Sequence, residues 1–119
     1  MRHILSTIAM TTLLLGTPVV RAQPKGDRAA VKGEVVDLWC YVEGDDRGPA
    51  KKQCATACAR AGNPIGILDS AGNLYVAAGL KDHQPAHTLL LGKMSDHVTV
   101  TGTVVNKGGI QMIYIDAVK

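Results

Sequence analysis

Three cysteines, Cys40, Cys54 and Cys58, are the residues of this 119-residue chain whose type and spacing could do chemistry. An odd number cannot all pair within one molecule, so at least one thiol is left over. Cys54 and Cys58 stand four apart, one turn along the same face of a helix, and Cys40 closes the apolar stretch that leads toward them. Converging thiolates suit soft ions: three sulfurs favour Cu(I), and three with one imidazole make the Cys3His set of zinc. Copper or zinc is therefore the expected cofactor, although C-x13-C-x3-C is no named zinc spacing.

Other readings of the same thiols stay open. A disulfide from Cys40 to Cys54 or Cys58 would tie a helix to the body of a small exported domain, contributing about 2 to 4 kcal/mol. A thiol-disulfide redox protein would need an accessible cysteine of low pKa. A strained disulfide could also alternate with a metal-bound thiol form.

His83 and His87 are the candidate additional metal ligands, four apart, but Pro85 lies between them. They share a helical face only if the helix starts at or before Asp82. His97 reads as a turn residue beside Asp96, a carboxylate able to orient an imidazole, and Met94 and Met112 read as packing. Asp37 interrupts the apolar run before Leu38-Trp39-Cys40; if buried it needs a hydrogen-bond partner, and it could support Cys40 from behind. Nothing marks a catalytic site of the common classes. Ser70 and Ser95 sit in turns without a G-x-S-x-G elbow, and no Gly-rich phosphate loop follows a strand.

The elements that must position these residues begin after a segment that has another purpose. Met1-Arg2-His3 is a basic start, residues 4–20 are mainly apolar, and Val20-Arg21-Ala22 before Gln23 resembles a cleavage site. Residues 1–22 are expected to be a signal peptide, with the product periplasmic or secreted. Thr11, Thr12, Gly16 and Pro18 interrupt the apolar run too often for a stable membrane anchor, and no cysteine lies at the processing site for lipid attachment. Loss of Arg2 and Arg21 takes the 13 basic residues to 11 against 10 acidic, so the charge pattern of a nucleic-acid binder is absent. The expected partner is a metal ion or another exported protein.

Residues 23–30 carry Pro24, Gly26 and three charges without apolar periodicity, and read as a flexible leader to a domain at 31–119. With no Phe and four aromatics, its core must come from Val, Ile, Leu and Ala. Val31 to Cys40 reads as a long strand, bent where Gly33 makes a bend cheap. Pro49 opens a helix over 50–61 whose positions Ala50, Cys54, Ala57, Cys58 and Ala61 make one face, ended by Gly62 and Asn63-Pro64. Ile65 to Leu68 and Leu74 to Ala78 form a hairpin, and a short helix starts near Asp82 or Gln84 and ends at Gly92. Alternation from Val98 to Val104 and again from Ile110 to Ala117 gives the last two strands.

That order implies a mainly β fold, a small OB-like antiparallel barrel of five strands with one inserted helix and one short helix. VKGEVVDLWCY at Val31 to Tyr41, the Cys54-to-Cys58 pair and the closing hairpin also resemble a group of small, exported, uncharacterised bacterial proteins of OB-like fold. The resemblance covers nearly all of the chain after residue 22. Members of that group carry a His three residues before the first helical cysteine, where this chain has Lys51. The C-x3-C pair is similar to the copper-delivery motif of the Sco proteins, which carry it on a thioredoxin-like fold that this strand order does not write. An OB-like barrel also leaves open a sugar- or protein-binding module in which a disulfide is purely structural.

Overall fold

The computed structural model describes residues 23–119; the expected signal segment, 1–22, lies outside the described residues. Five strands, β1 (Asp27–Asp37), β2 (Ile65–Asp69), β3 (Leu74–Gly79), β4 (His97–Lys107) and β5 (Ile110–Val118), close into one barrel. Its order is β1-β2-β3-β5-β4, the small OB-like barrel expected from the alternation. Neighbours are antiparallel except for β3 and β5, which run parallel from Val76↔Met112 to Gly79↔Ile115.

The long β1 serves two neighbours. Asp27 to Glu34 pair with β4, and Gly33 to Asp37 pair with β2, so the strand must bend where the two registers overlap. Gly33 lies in that overlap, and a Cβ there would stand 2.3 Å from the Leu68 carbonyl oxygen. Close backbone approach, more than turn geometry, is what the missing side chain permits. A second close approach occurs at the irregularity between Thr101 and Gly102 in β4, where a Cβ on Gly102 would meet the Tyr114 carbonyl oxygen at 2.2 Å.

Val35, Ile67, Val100 and Ile113, from four different strands, are fully buried and set the centre of the core. Ala55 and Ala59 of α2 (Lys52–Arg60), Leu90 of α3 (His87–Leu90) and Met94 join the same apolar cluster. Met94 is thus packing, as expected. Its neighbour loops are tied by Lys52 to Asp96 at 2.7 Å, which anchors α2 to the start of β4.

Several expectations need correction. The chain from Asp27 is not a leader but the first part of β1, because an 11-residue β4 offers backbone partners as far as Val104, and backbone pairing does not require apolar side chains. The strand does not continue to Cys40: it stops at Asp37 and a helix, α1 (Leu38–Gly44), follows at once. Two helices are therefore inserted between β1 and β2, where one was expected. The helix at 50–61 is present as a 3-10 turn, Pro49–Lys51, continuing into α2. Its buried stripe is Ala55 and Ala59, while Ala50, Cys54, Ala57 and Ala61 are exposed. The short later helix begins at His87, after Pro85, and Asp82 does not cap it.

Candidate metal centre

Each cysteine is delivered by a helix whose placement follows from local sequence. Asp37 ends β1 in extended geometry, opposite Ile65, and its Oδ2 accepts a hydrogen bond from the Cys40 backbone N–H at 2.9 Å. That is an N-cap: it satisfies one of the donors a helix start leaves unpaired and turns the chain at Leu38. The Leu38 N–H donates to the Pro64 carbonyl, so the start of α1 is pinned beside the exit of the inserted segment. Asp45, in the left-handed region at φ 55°, ends α1 and returns its N–H to the Cys40 and Tyr41 carbonyls. Gly48 then donates to the Glu34 carboxylate, a buried group on β1, which fixes where Pro49 opens the second helix.

Cys40 on α1 and Cys54 and Cys58 on α2 converge, their three Sγ atoms all within 4.8 Å of one another. Cys40 and Cys58 are the contacting pair, Sγ to Sγ at 3.8 Å. All three are free thiols; neither alternative disulfide, Cys40 to Cys54 or Cys40 to Cys58, is formed. Two sulfurs each about 2.3 Å from one metal ion stand about 3.8 Å apart in a tetrahedral shell and about 4.0 Å apart in a trigonal one, so the observed edge is compatible with shared coordination. Cys54 is exposed while Cys40 and Cys58 are half-buried, which leaves the group open to solvent on one side.

Asp37 dominates the electrostatics behind the trio. Its carboxylate is 2% exposed, and Oδ1 has no donor in hydrogen-bonding geometry. The Cys40 thiol is the neighbour able to turn its S–H toward this carboxylate. That interaction, followed by partial burial and by Cys58, pushes the Cys40 pKa up to about 12. Cys58 is also raised: the hydrogen bond from Cys40 favours its thiolate, but burial, the Asp37 charge and Cys54 outweigh that. Lys51, three residues before Cys54, donates to Asp46 at 2.8 Å. Asp46 holds its ammonium protonated beyond the ordinary lysine range, with smaller help from the two thiols Cys54 and Cys40. A protonated amine has no lone pair for a metal, so Lys51 supplies positive charge to the site and no ligand.

The histidines lie elsewhere. His83 is almost fully exposed before α3, at φ 59°, beside Asp82 at 3.4 Å. His87, on α3, places Nε2 3.0 Å from the Asn63 carbonyl oxygen at the end of the inserted segment. Neither belongs to the cysteine group, and their helical i,i+4 relation is absent because α3 starts only at His87. His97 is exposed at the head of β4, and Asp96 beside it pairs with Lys52 rather than orienting an imidazole. Met112 is half-buried in β5.

No family model, curated protein or solved structure matches this chain. The chemistry open to the site therefore follows from its own donor set: three sulfurs, with no fourth His, Cys, Asp or Glu joining them among the described residues. Two features around it were harder to read from the sequence. Asp37 stood out as a polar interruption, but its capping of α1 was concealed by the β-branched run that precedes it. Glu34, whose buried carboxylate accepts from the Gly48 N–H, is in sequence only a polar position of the β1 alternation.

Proposed function

We propose that the chain is an exported metal-binding protein whose Cys40, Cys54 and Cys58 thiolates take up one soft ion, Cu(I) above all, for binding or delivery rather than catalysis. The observation that carries this reading is the convergence of the three Sγ atoms within 4.8 Å from two separate helices. Three sulfurs without a fourth protein donor suit Cu(I), whereas structural zinc takes four. The open side at Cys54 supports exchange with an acceptor, since a closed shell would hold its ion permanently. Export, to the periplasm or as a secreted protein, rests on the basic-apolar start and the Val20-Arg21-Ala22 junction.

Exposed apolar side chains favour a second reading, a module that docks another exported protein. Trp39 and Val42 are 69% and 71% exposed on α1, the helix that carries Cys40. Native mass spectrometry of protein purified without chelator, before and after Cu(I) under reducing conditions, separates the two. One ion per chain, absent from a Cys54→Ser, Cys58→Ser variant that still folds, supports the metal reading. No uptake by the fully reduced protein overturns it and leaves the docking module.

A further inference from the structure

We propose that the trio is also a thiol-disulfide exchange centre: a small-molecule disulfide enters at Cys54 and leaves Cys40 and Cys58 joined by one internal disulfide. A corollary, which rests on the metal reading above, is that oxidation and metal binding exclude one another.

Geometry selects the pair. Cys40 and Cys58 come from different helices and already touch at 3.8 Å, so side-chain rotation can close the sulfurs toward the roughly 2.05 Å of a disulfide. The C-x3-C pair, which motif reasoning would join, is less suited. Cys54 and Cys58 share the continuous helix α2, where residues four apart hold their Cβ atoms about 5–6 Å apart, against roughly 3.5–4.5 Å in a disulfide. Access selects the entry point, because Cys54 is exposed and the other two are half-buried.

The Cys54 thiolate attacks one sulfur of R–S–S–R, forming a Cys54–S–S–R mixed disulfide and expelling one thiolate RS⁻. Cys40 sulfur, on losing its proton, attacks the Cys54 sulfur and expels the second RS⁻. Cys58 then attacks Cys40 by the same exchange and frees Cys54. Two protein thiols are oxidised, one small disulfide is reduced to two thiols, and the two thiol protons go to the two RS⁻ groups. One sulfur then remains for a metal, too few for the site described.

The test uses oxidised glutathione as the probe. Reduced protein is incubated with it, quenched in acid, alkylated and mapped by fragmentation mass spectrometry. The expected product is a Cys40–Cys58 cross-link with Cys54 free or glutathionylated. Cys54→Ser should slow cross-linking about tenfold, and Cys58→Ser should leave no Cys40–Cys58 product and stop at the Cys40–Cys54 disulfide, because Cys40 still expels the second RS⁻. In the wild-type protein a stable Cys54–Cys58 or Cys40–Cys54 product, or no internal cross-link, overturns the proposal, as does an unchanged rate in Cys54→Ser. In parallel, Cu(I)-loaded protein should resist oxidation and oxidised protein should take up no Cu(I). Cross-linking of Cys40 to Cys58 without Cu(I) uptake by reduced protein would sink the metal reading alone; Cu(I) uptake with the wrong cross-link would sink exchange alone.

Discussion

Asp37 carries two jobs that pull in one direction. One oxygen caps α1, and the carboxylate raises the Cys40 pKa, so it both places Cys40 and resists its ionisation. Replacing Asp37 with Asn separates the two, because Asn remains a good N-cap while the negative charge is removed. Asp37→Asn is expected to keep the fold and to lower the Cys40 pKa from about 12 by about 1–3 pH units, followed as thiolate ultraviolet absorbance in a pH titration. Cu(I) affinity at neutral pH should rise about tenfold or more, since fewer protons compete and one buried charge no longer repels the thiolates. An unchanged thiol titration would show that burial, not the carboxylate, governs Cys40. The three cysteines and the prominence of Asp37 were legible in the sequence because they are chemical types standing out from an apolar run. His83 and His87 were misleading for an equally physical reason: spacing of four implies one face only inside a helix, and Pro85 delays that helix until His87.

At the scale of elements, barrel strands were far easier to read than the inserted segment. Alternating Val and Thr in β4 and the Asp69-to-Asn73 turn write their structure locally: Asp69 accepts from the backbone N–H groups of Ala71 and Asn73. The change from β1 to α1 depends on a contact with Pro64, 26 positions after Leu38, which no local pattern shows. The site hangs on that change of direction, and β1 must first bend to reach it. Gly33 is where the bend tests most sharply. A methyl group at Gly33 would lie 2.3 Å from the Leu68 carbonyl oxygen and 3.0 Å from the Ile67 side chain, and the oxygen belongs to a paired backbone with nowhere to move. Gly33→Ala is therefore expected to destabilise by about 2–3 kcal/mol, lowering the melting temperature by on the order of 10 °C for a domain of this size. Thermal unfolding followed by circular dichroism measures it. A melting temperature within a degree or two of wild type would mean that β1 and β2 can separate without cost, and that the placement of α1 does not depend on their close approach.

For the whole molecule, the ionisable groups bound a range of stability whose two ends have different origins. On the acid side, Asp69 is depressed first by the Asn73 side-chain amide and Asp116 first by the Arg28 guanidinium, which ties β5 to the start of β1. Carboxylates with folded pKa values below 3.8 stabilise the fold above that pH and lose their contribution as pH falls through the folded values. On the alkaline side, the raised Cys40 and Cys58 thiols mean that the folded chain holds protons more tightly than the unfolded chain, whose thiols titrate near 9.0. Their contribution is fully present below pH 9.0 and is lost as pH rises toward about 12. Metal binding reverses that sign, because Cu(I) requires the thiolates that the apo fold suppresses. Between about pH 6 and 8, displacing one proton from each of Cys40 and Cys58 should by itself raise apparent Cu(I) affinity by about 100-fold per pH unit, which is the least slope expected of the three-thiolate site. Competition with a Cu(I) chelator measures this slope, and melting with and without Cu(I) reads the same linkage as a stabilisation that grows with pH. A slope near zero would mean that these thiols are not displaced by the ion. The opposed alkaline trends, a weakening apo fold and a strengthening metal-bound one, would place the proton, the ion and the α1-to-α2 contact in a single equilibrium.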